Sequence, residues 1–371
     1  MKVNIAIIPG DGIGPEVTEQ AKKALNAIAN VFDHTFLFKE GLMGACAIDE
    51  TGTPLPDKTL NLCKESDAVL FGAIGDPKYD EDPTLKVRPE QGLLKLRKEL
   101  GLFCNIRPVK AYETLIHNSP LKEERIKGTD ISIYRELTGG IYFGTKELSK
   151  DGTIAKDGCT YSVEEIERIA HLAFQAAQSR QKKLTLVDKA NVLETSRLWR
   201  KTVTSLAVQY PDVRLDYLFV DNAAMQLILN PKQFDVILTE NLFGDILSDE
   251  ASVIGGSIGL LASASIGKNN ALFEPIHGSF PQAKGKDIAN PLASILSAAM
   301  LLEHLGLHEE AGAIDKAVQK SLELGITTED LNFEKPFSTS KVGDFIADYV
   351  NNQEDTDINF QNIHMGQSTI I

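Results

Sequence analysis

Cysteine is scarce: four residues in 371, Cys46, Cys63, Cys104 and Cys159, with no C-x-x-C pair among them. That spacing argues against a disulfide framework or a cysteine zinc site and fits a reducing cytoplasm. Basic runs are missing too, and the net charge is −14. Such a chain has no stripe to grip a nucleic-acid backbone, and an anionic membrane surface would repel it. No apolar run suits a membrane span, since "SVIGGSIGLLASASIG" is broken by glycines and "PLASILSAAMLL" is too short. Both are expected as buried, small-residue helices. The apolar start "NIAII" ends at Gly10-Asp11-Gly12, too early for a signal peptide. The expectation is a soluble cytoplasmic protein that binds neither nucleic acid nor membrane.

A dinucleotide fingerprint is also absent. "IAIIPGDGIGPEVTEQ" has a strand, three glycines and a helix start, but G-x-G-x-x-G counted from Gly10 places Pro15 where the third glycine belongs. Proline in the first turn, with Glu16 and Glu19 following, starts a helix well and repels a phosphate.

What is present is an α/β rhythm long enough for two domains. Strands are expected at "NIAII", "HTFLF", "DAVLFGAI", "DISIYRE", "LTLV", "YLFV" and "FDVILT". Amphipathic helices follow Gly14, with Val17, Ala21, Ala24, Leu25 and Ile28 on one face, and run through "SVEEIERIAHLAFQAAQS" and "NPLASILSAAMLLEHL". Three strands run into polar turns, Asp188-Lys189, Asp221-Asn222 and Glu240-Asn241, and ligands of open α/β sheets bind beyond such ends. The segment "FGTKELSKDGTIAKDGCTYS" breaks the rhythm and reads as a disordered insert or an arm that pairs with a second subunit. The polar tail after Val350 has no assigned role.

In "NLFGDILSDEAS", Asp245 and Asp249 lie four residues apart and so share a helix face. They either complement the helix dipole, which the spacing alone favours, or hold a hard cation such as Mg²⁺ or Mn²⁺, with Asp221 as third ligand. In "RPEQGLLKLRKEL", Arg97 shares a face with Leu93 and Leu94. It either snorkels from a core helix or closes a pocket that is apolar on one side and carboxylate-binding on the other. Arg107 and Arg135 supply two further planar forks. Tyr142 follows a Gly139-Gly140 turn, which also suits a plain β-hairpin. Lys189 is either a solvated loop lysine or a base.

Eight segments in chain order, "IPGDGIGPE", "RPEQGLLKLR", "RELTGGIYFG", "VDKANVLE", "YPDV", "NLFGDILSDEAS", "FEPIHGS" and "IANPLASILSAAM", resemble the metal-dependent β-decarboxylating dehydrogenases, the isocitrate/isopropylmalate dehydrogenase family. The resemblance implies two open-sheet α/β domains of that family's type. One is discontinuous, residues 1–102 plus 256–371, and carries the adenosine loop; the other, 103–255, carries the metal aspartates, the dimer interface and an arm at about 138–162. It implies oxidation of a malate derivative by NAD, then loss of CO₂ and protonation of the enol. Asp221, Asp245 and Asp249 would hold Mg²⁺ or Mn²⁺, and Arg97, Arg107 and Arg135 the substrate carboxylates. Lys189, near Asp221, would help deprotonate the hydroxyl, and Tyr142 would protonate the enol. Lys189 and Asp221 are expected to reach across a homodimer. Glu90, His277, Gly278, Ser279, Gln282 and Asn290 would meet the cofactor.

The principal departure is Gln282, where NAD-using members usually carry an aspartate. Glutamine can bond a ribose hydroxyl but does not repel a 2′-phosphate. The lysine-tyrosine pair of NADP-using isocitrate relatives is also absent. NAD is therefore expected, with weaker discrimination against NADP. Leu93 and Leu94, with Val192, form a greasy wall where isocitrate enzymes carry serine and asparagine, and a carboxylate against it would be poorly solvated. The implied substrate is 3-isopropylmalate, converted to 4-methyl-2-oxopentanoate in leucine biosynthesis. The alternatives are tartrate, malate, homoisocitrate or isocitrate as substrate, or a non-catalytic regulatory subunit.

Overall fold

The computed structural model describes residues 1–79, 81 and 85–352; the tail beyond them, singled out above, lies outside the described residues. The strands, in chain order, are β1 (Lys2–Gly10), β2 (Thr35–Glu40), β3 (Ala68–Ala73), β4 (Cys104–Lys110), β5 (Asp130–Glu136), β6 (Lys146–Leu148), β7 (Ala155–Asp157), β8 (Lys183–Asp188), β9 (Arg214–Phe219), β10 (Val236–Thr239), β11 (Ala262–Ile266) and β12 (Ala271–Pro275). Ten of them form one sheet in the order β2-β1-β3-β12-β11-β4-β5-β10-β8-β9. Pairing is antiparallel for β12–β11, β11–β4 and β4–β5 and parallel elsewhere. The remaining two, β6 and β7, pair with each other as an exposed antiparallel ribbon in the expected arm.

Alternation of side chains along the strands sorts the core. Val3, Ile5 and Ile7 of β1 join one large cluster with Leu184 and Leu186 of β8 and Val236 and Leu238 of β10, continuous across one face of the sheet. The other face carries two separate clusters. Ala6, Ile8, Val69, Phe71 and Leu272 belong to one, and Val109, Ile131, Ile133, Val187 and Ile237 to the other. The helix Gly14–Val31 buries the five expected residues, Val17, Ala21, Ala24, Leu25 and Ile28, and packs on the helices Leu292–His304 and Thr339–Asn352. Helix Val163–Ser179 opens with a full capping box between Ser162 and Glu165.

One expectation fails. "SVIGGSIGLLASASIG" is no helix: it folds as two short 3₁₀ turns, Val253–Gly255 and Ile258–Leu260, and then β11. The alternating serines decide this. Ser263 and Ser265 are buried, and the amide of Asn105 donates to both hydroxyls, at 2.8 and 3.4 Å. "PLASILSAAMLL" does form a helix, buried around most of its circumference. Cys104 is fully buried, and burial raises its thiol pKa, as suits a small core residue.

Candidate active site

Between the two clusters of the divided face the sheet turns polar. Asn105 and Arg107 alternate with Cys104, which belongs to the continuous core on the opposite face. Ser263, Glu274 and Arg135 occupy corresponding positions on β11, β12 and β5. A cavity of about 180 Å³ opens here, lined by Leu93, Arg97, Arg107, Ser263, Glu274 and the chain at Pro275–Gly278. Polar side chains at mid-sheet cost stability unless they are paired or serve a ligand.

Most are paired. The Arg97 Nη2 donates to Glu274 Oε1 at 2.6 Å. Arg107 donates through Nε to Asn105 Oδ1 (2.8 Å) and through Nη1 to Ser248 Oγ (2.7 Å) and Asp249 Oδ1 (2.9 Å). Arg135 donates through Nη1 to Asp245 Oδ1, and through Nε and Nη2 to Asn241 Oδ1. Tyr142 donates to Asp245 Oδ2 at 2.8 Å, so the Gly139-Gly140 turn is not a hairpin tip but brings the phenol to an aspartate. Burial and that carboxylate raise the phenol's pKa, while burial lowers that of Arg135 in spite of Asp245. The helix Asn241–Ser252 thus presents Asp245 and Asp249 to two arginines that no local spacing places together. Of the buried side-chain polar atoms without a partner among the described residues, two, Arg97 Nε and His277 Nε2, belong to residues lining the cavity.

Lys189 and Asp221 stand apart. Lys189 Nζ donates to Asp221 Oδ1 at 2.6 Å, which is the first cause of that carboxylate's lowered pKa. Asp221 opens the helix Val220–Leu229 rather than a loop. No group of three His, Cys, Asp or Glu side chains among the described residues could hold a metal, so one chain does not bring Asp221 to Asp245 and Asp249. Leu94 and Val192 also miss the cavity, at 55% and 61% exposed; of the expected wall only Leu93 lines it.

The loop 277–290 is anchored from the first turn of the chain. Ile13 N donates to Ser279 O at 2.8 Å, and a Cβ on Gly12 would lie 1.9 Å from that oxygen. Glu16 accepts from Gly285 N, and from Asp287 N at 3.2 Å, so this acid braces the loop as well as the helix start. Asn290 is committed to Asp330 Oδ2 (2.9 Å) and Leu292 N (3.0 Å). Gly278 and Gln282 are exposed. Glu90 is exposed at the start of helix Glu90–Glu99, with Oε1 close to Gly75. Asp11, not singled out from sequence, is buried and accepts from the backbone N–H groups of Ala45, Cys46 and Gly75 at 2.8–2.9 Å.

Residues 4–346 match the family model described as isocitrate/isopropylmalate dehydrogenase. The chain belongs to that family. It is 53% identical over 352 residues to a 3-isopropylmalate dehydrogenase of Bacteroides fragilis (94% of this chain, 99% of the relative). It is 56% identical over 352 residues to one of Wolinella succinogenes (94% and 98%). Among solved structures, an isocitrate dehydrogenase from Methylococcus capsulatus matches with TM-score 0.82 at 35% identity (94% of this chain, 99% of that one). A β-decarboxylating dehydrogenase from Thermococcus kodakarensis in its apo form matches with TM-score 0.81 at 36% identity (96% and 98%). Sequence reasoning missed Glu274, a buried acid in "ALFEPI" that pairs with Arg97 and lines the cavity; an acid among apolar neighbours was the available signal.

Proposed function

We propose that this chain oxidises and decarboxylates 3-isopropylmalate to 4-methyl-2-oxopentanoate in leucine biosynthesis, with NAD as hydride acceptor and Mg²⁺ or Mn²⁺ as metal. The observation that carries the chemistry is the convergence of Arg107, Arg135, Asp245, Asp249 and Tyr142 beside a cavity with one apolar side, Leu93. The substrate choice is supported by relatives above half identity that bear that activity in their names. No helix among the described residues is long and apolar enough to cross a membrane.

The donor set fits a hard divalent ion: Asp245 and Asp249, four residues apart on one helix, offer carboxylate oxygens alone. The third carboxylate, Asp221, comes in this reading from a second copy of the chain, together with Lys189 and Val192. The exposed apolar side chains of Met225, Ile228, Leu229, Ile246 and Val253, and of Leu148 and Ile154 on the arm, favour such a homodimer. The metal would lower the energy of negative charge developing on the substrate oxygens, and NAD would take the hydride. Arg97, Arg107 and Arg135 grip the carboxylates as bidentate forks, and Arg97 exchanges or shares its bond to Glu274. Lys189, with Asp221 beside it, would assist removal of the hydroxyl proton. Tyr142 gives a proton to the enol carbon after CO₂ departs. The unpartnered His277 Nε2 and the braced loop 277–290, with Gly278, Ser279, Gln282 and Asn290, would accommodate the cofactor, with Glu90 at its nicotinamide end. The halves 1–102 plus 256–371 and 103–255 would act as two domains across the cleft.

The test is NADH formation by purified protein with Mg²⁺, comparing 3-isopropylmalate, isocitrate and tartrate. The expected result is a preference for 3-isopropylmalate of about 100-fold or more in kcat/KM, because a third carboxylate finds no partner at Leu93. Equal or better turnover of isocitrate would overturn the substrate. The same assay with NADP reads Gln282: NAD is preferred, and Gln282→Asp widens the margin.

A further inference from the structure

Behind the Tyr142–Asp245 bond lies a buried network whose residues do not line the cavity. Asn241 is 1% exposed. Its Oδ1 accepts from Arg135 Nε at 3.1 Å and Nη2 at 2.9 Å, and its Nδ2 donates to Gly139 O at 3.1 Å. One amide therefore spans the arginine and the turn that leads to Tyr142. The backbone of Asn241 is fixed in turn by Tyr161, whose hydroxyl accepts from Asn241 N (3.0 Å) and donates to Glu240 Oε2 (3.1 Å). A phenol that gives its only proton to one partner and accepts from another has little freedom left. The Tyr161 side chain also fills the space beside the turn: a Cβ on Gly139 would come within 2.7 Å of its ring, and one on Gly140 within 2.3 Å of its hydroxyl. Gly140, at φ +78, is doubly constrained. Glu136, fully buried, holds the same turn by accepting from Thr138 N (2.9 Å) and Gly139 N (2.7 Å).

The contacts form a closed circuit. From Asn241 one limb runs through Arg135 to Asp245 Oδ1; the other runs through the Gly139-Gly140 turn to Tyr142 and back to Asp245 Oδ2. We propose that Asn241, held by Tyr161, is a positioning residue that joins the carboxylate-binding Arg135 to the turn carrying Tyr142, so that proton delivery is placed by the side chain that orients the arginine. This rests on the reading of Tyr142 as proton donor and Arg135 as substrate ligand. Displacing an acid by about 1 Å costs on the order of 100-fold in rate, while the bulk of substrate binding can survive.

The experiment compares wild type, Asn241→Asp, Tyr161→Phe and Tyr142→Phe as full-length assembled enzyme, turning over 3-isopropylmalate with Mg²⁺ and NAD in D₂O. The product is trapped at once by reductive amination. Decarboxylation leaves one new hydrogen at C3, so delivery by a fixed acid labels one face and protonation by solvent labels both. Asn241→Asp keeps the acceptor for Arg135 and removes the donor to Gly139. It is expected to lower kcat about 10- to 100-fold with KM nearly unchanged, and to randomise the deuterium. Tyr161→Phe, which keeps the ring, is expected to do the same more weakly. Stereospecific labelling in both, with Tyr142→Phe randomised, would overturn the positioning role. Stereospecific labelling in Tyr142→Phe would instead overturn the reading of Tyr142. Should one of the two network variants fail to fold, the other decides.

Discussion

The carboxylates of Asp245 and Asp221 begin from similar positions, in the first half of two helices that pack on each other, Asn241–Ser252 and Val220–Leu229. Their surroundings differ. Asp245 is flanked by Arg107, Arg135 and Tyr142, and Arg135 itself donates twice to Asn241. Asp221 has Lys189 and open solvent, with its side chain 65% exposed. The first cluster is built into the fold, so removing a member disturbs neighbours that hydrogen-bond to one another as well. The second is a surface ion pair, and such pairs add little to stability. In the proposed reading this exposed pair, beside the exposed Val192 and Met225, is half of a site completed by another copy of the chain.

That contrast is most exposed to a complementation experiment. Lys189→Met and Asp245→Asn should each lower kcat/KM about 100-fold or more. If sites are shared between subunits, each hybrid dimer carries one doubly damaged and one intact site. Co-refolding the two inactive proteins in equal amounts should then restore about a quarter of wild-type activity. No recovery, from a refolded dimer, would place the whole site within one chain. A smaller effect is expected from Arg135→Lys. Lysine cannot serve Asn241, Asp245 and a substrate carboxylate at once, so KM for 3-isopropylmalate should rise about tenfold and Tm should fall. An unchanged KM would remove Arg135 from the carboxylate grip.

The two regions were not equally legible in the sequence. Seven strands announce themselves as β-branched or apolar runs, and the helix faces follow the expected residues. Three strands of the cleft do not, and the reason is the same as the reason they matter. The strand β4 interleaves Asn105, Arg107 and Pro108 with its apolar residues, and β11 alternates alanine with serine. The strand β12 carries Glu274 among apolar neighbours. Polar groups that satisfy one another across a sheet weaken the hydrophobic period that marks a strand. The Asp245–Asp249 spacing was visible, but its arginine partners come from strands more than a hundred residues away, which no local pattern encodes. The network of Asn241, Tyr161 and Gly139 was hidden for a further reason: its polar atoms face each other, and nothing in their spacing separates them from ordinary turn residues.

The smallest expected effect sharpens the comparison from the stability side. Asp221→Asn removes a charge that Lys189 can replace with water, because both side chains reach solvent. Its Tm should stay within about 1 °C of wild type while activity falls as in Lys189→Met. If the protein is a dimer that folds with its assembly, Tm should rise with protein concentration, and the variant should keep that dependence. A drop of several degrees would show that the Lys189–Asp221 pair supports the fold, and would remove the argument that its exposure reflects a shared site. An unchanged Tm with lost turnover would leave the pair a purpose only in chemistry, as the proposed shared site requires.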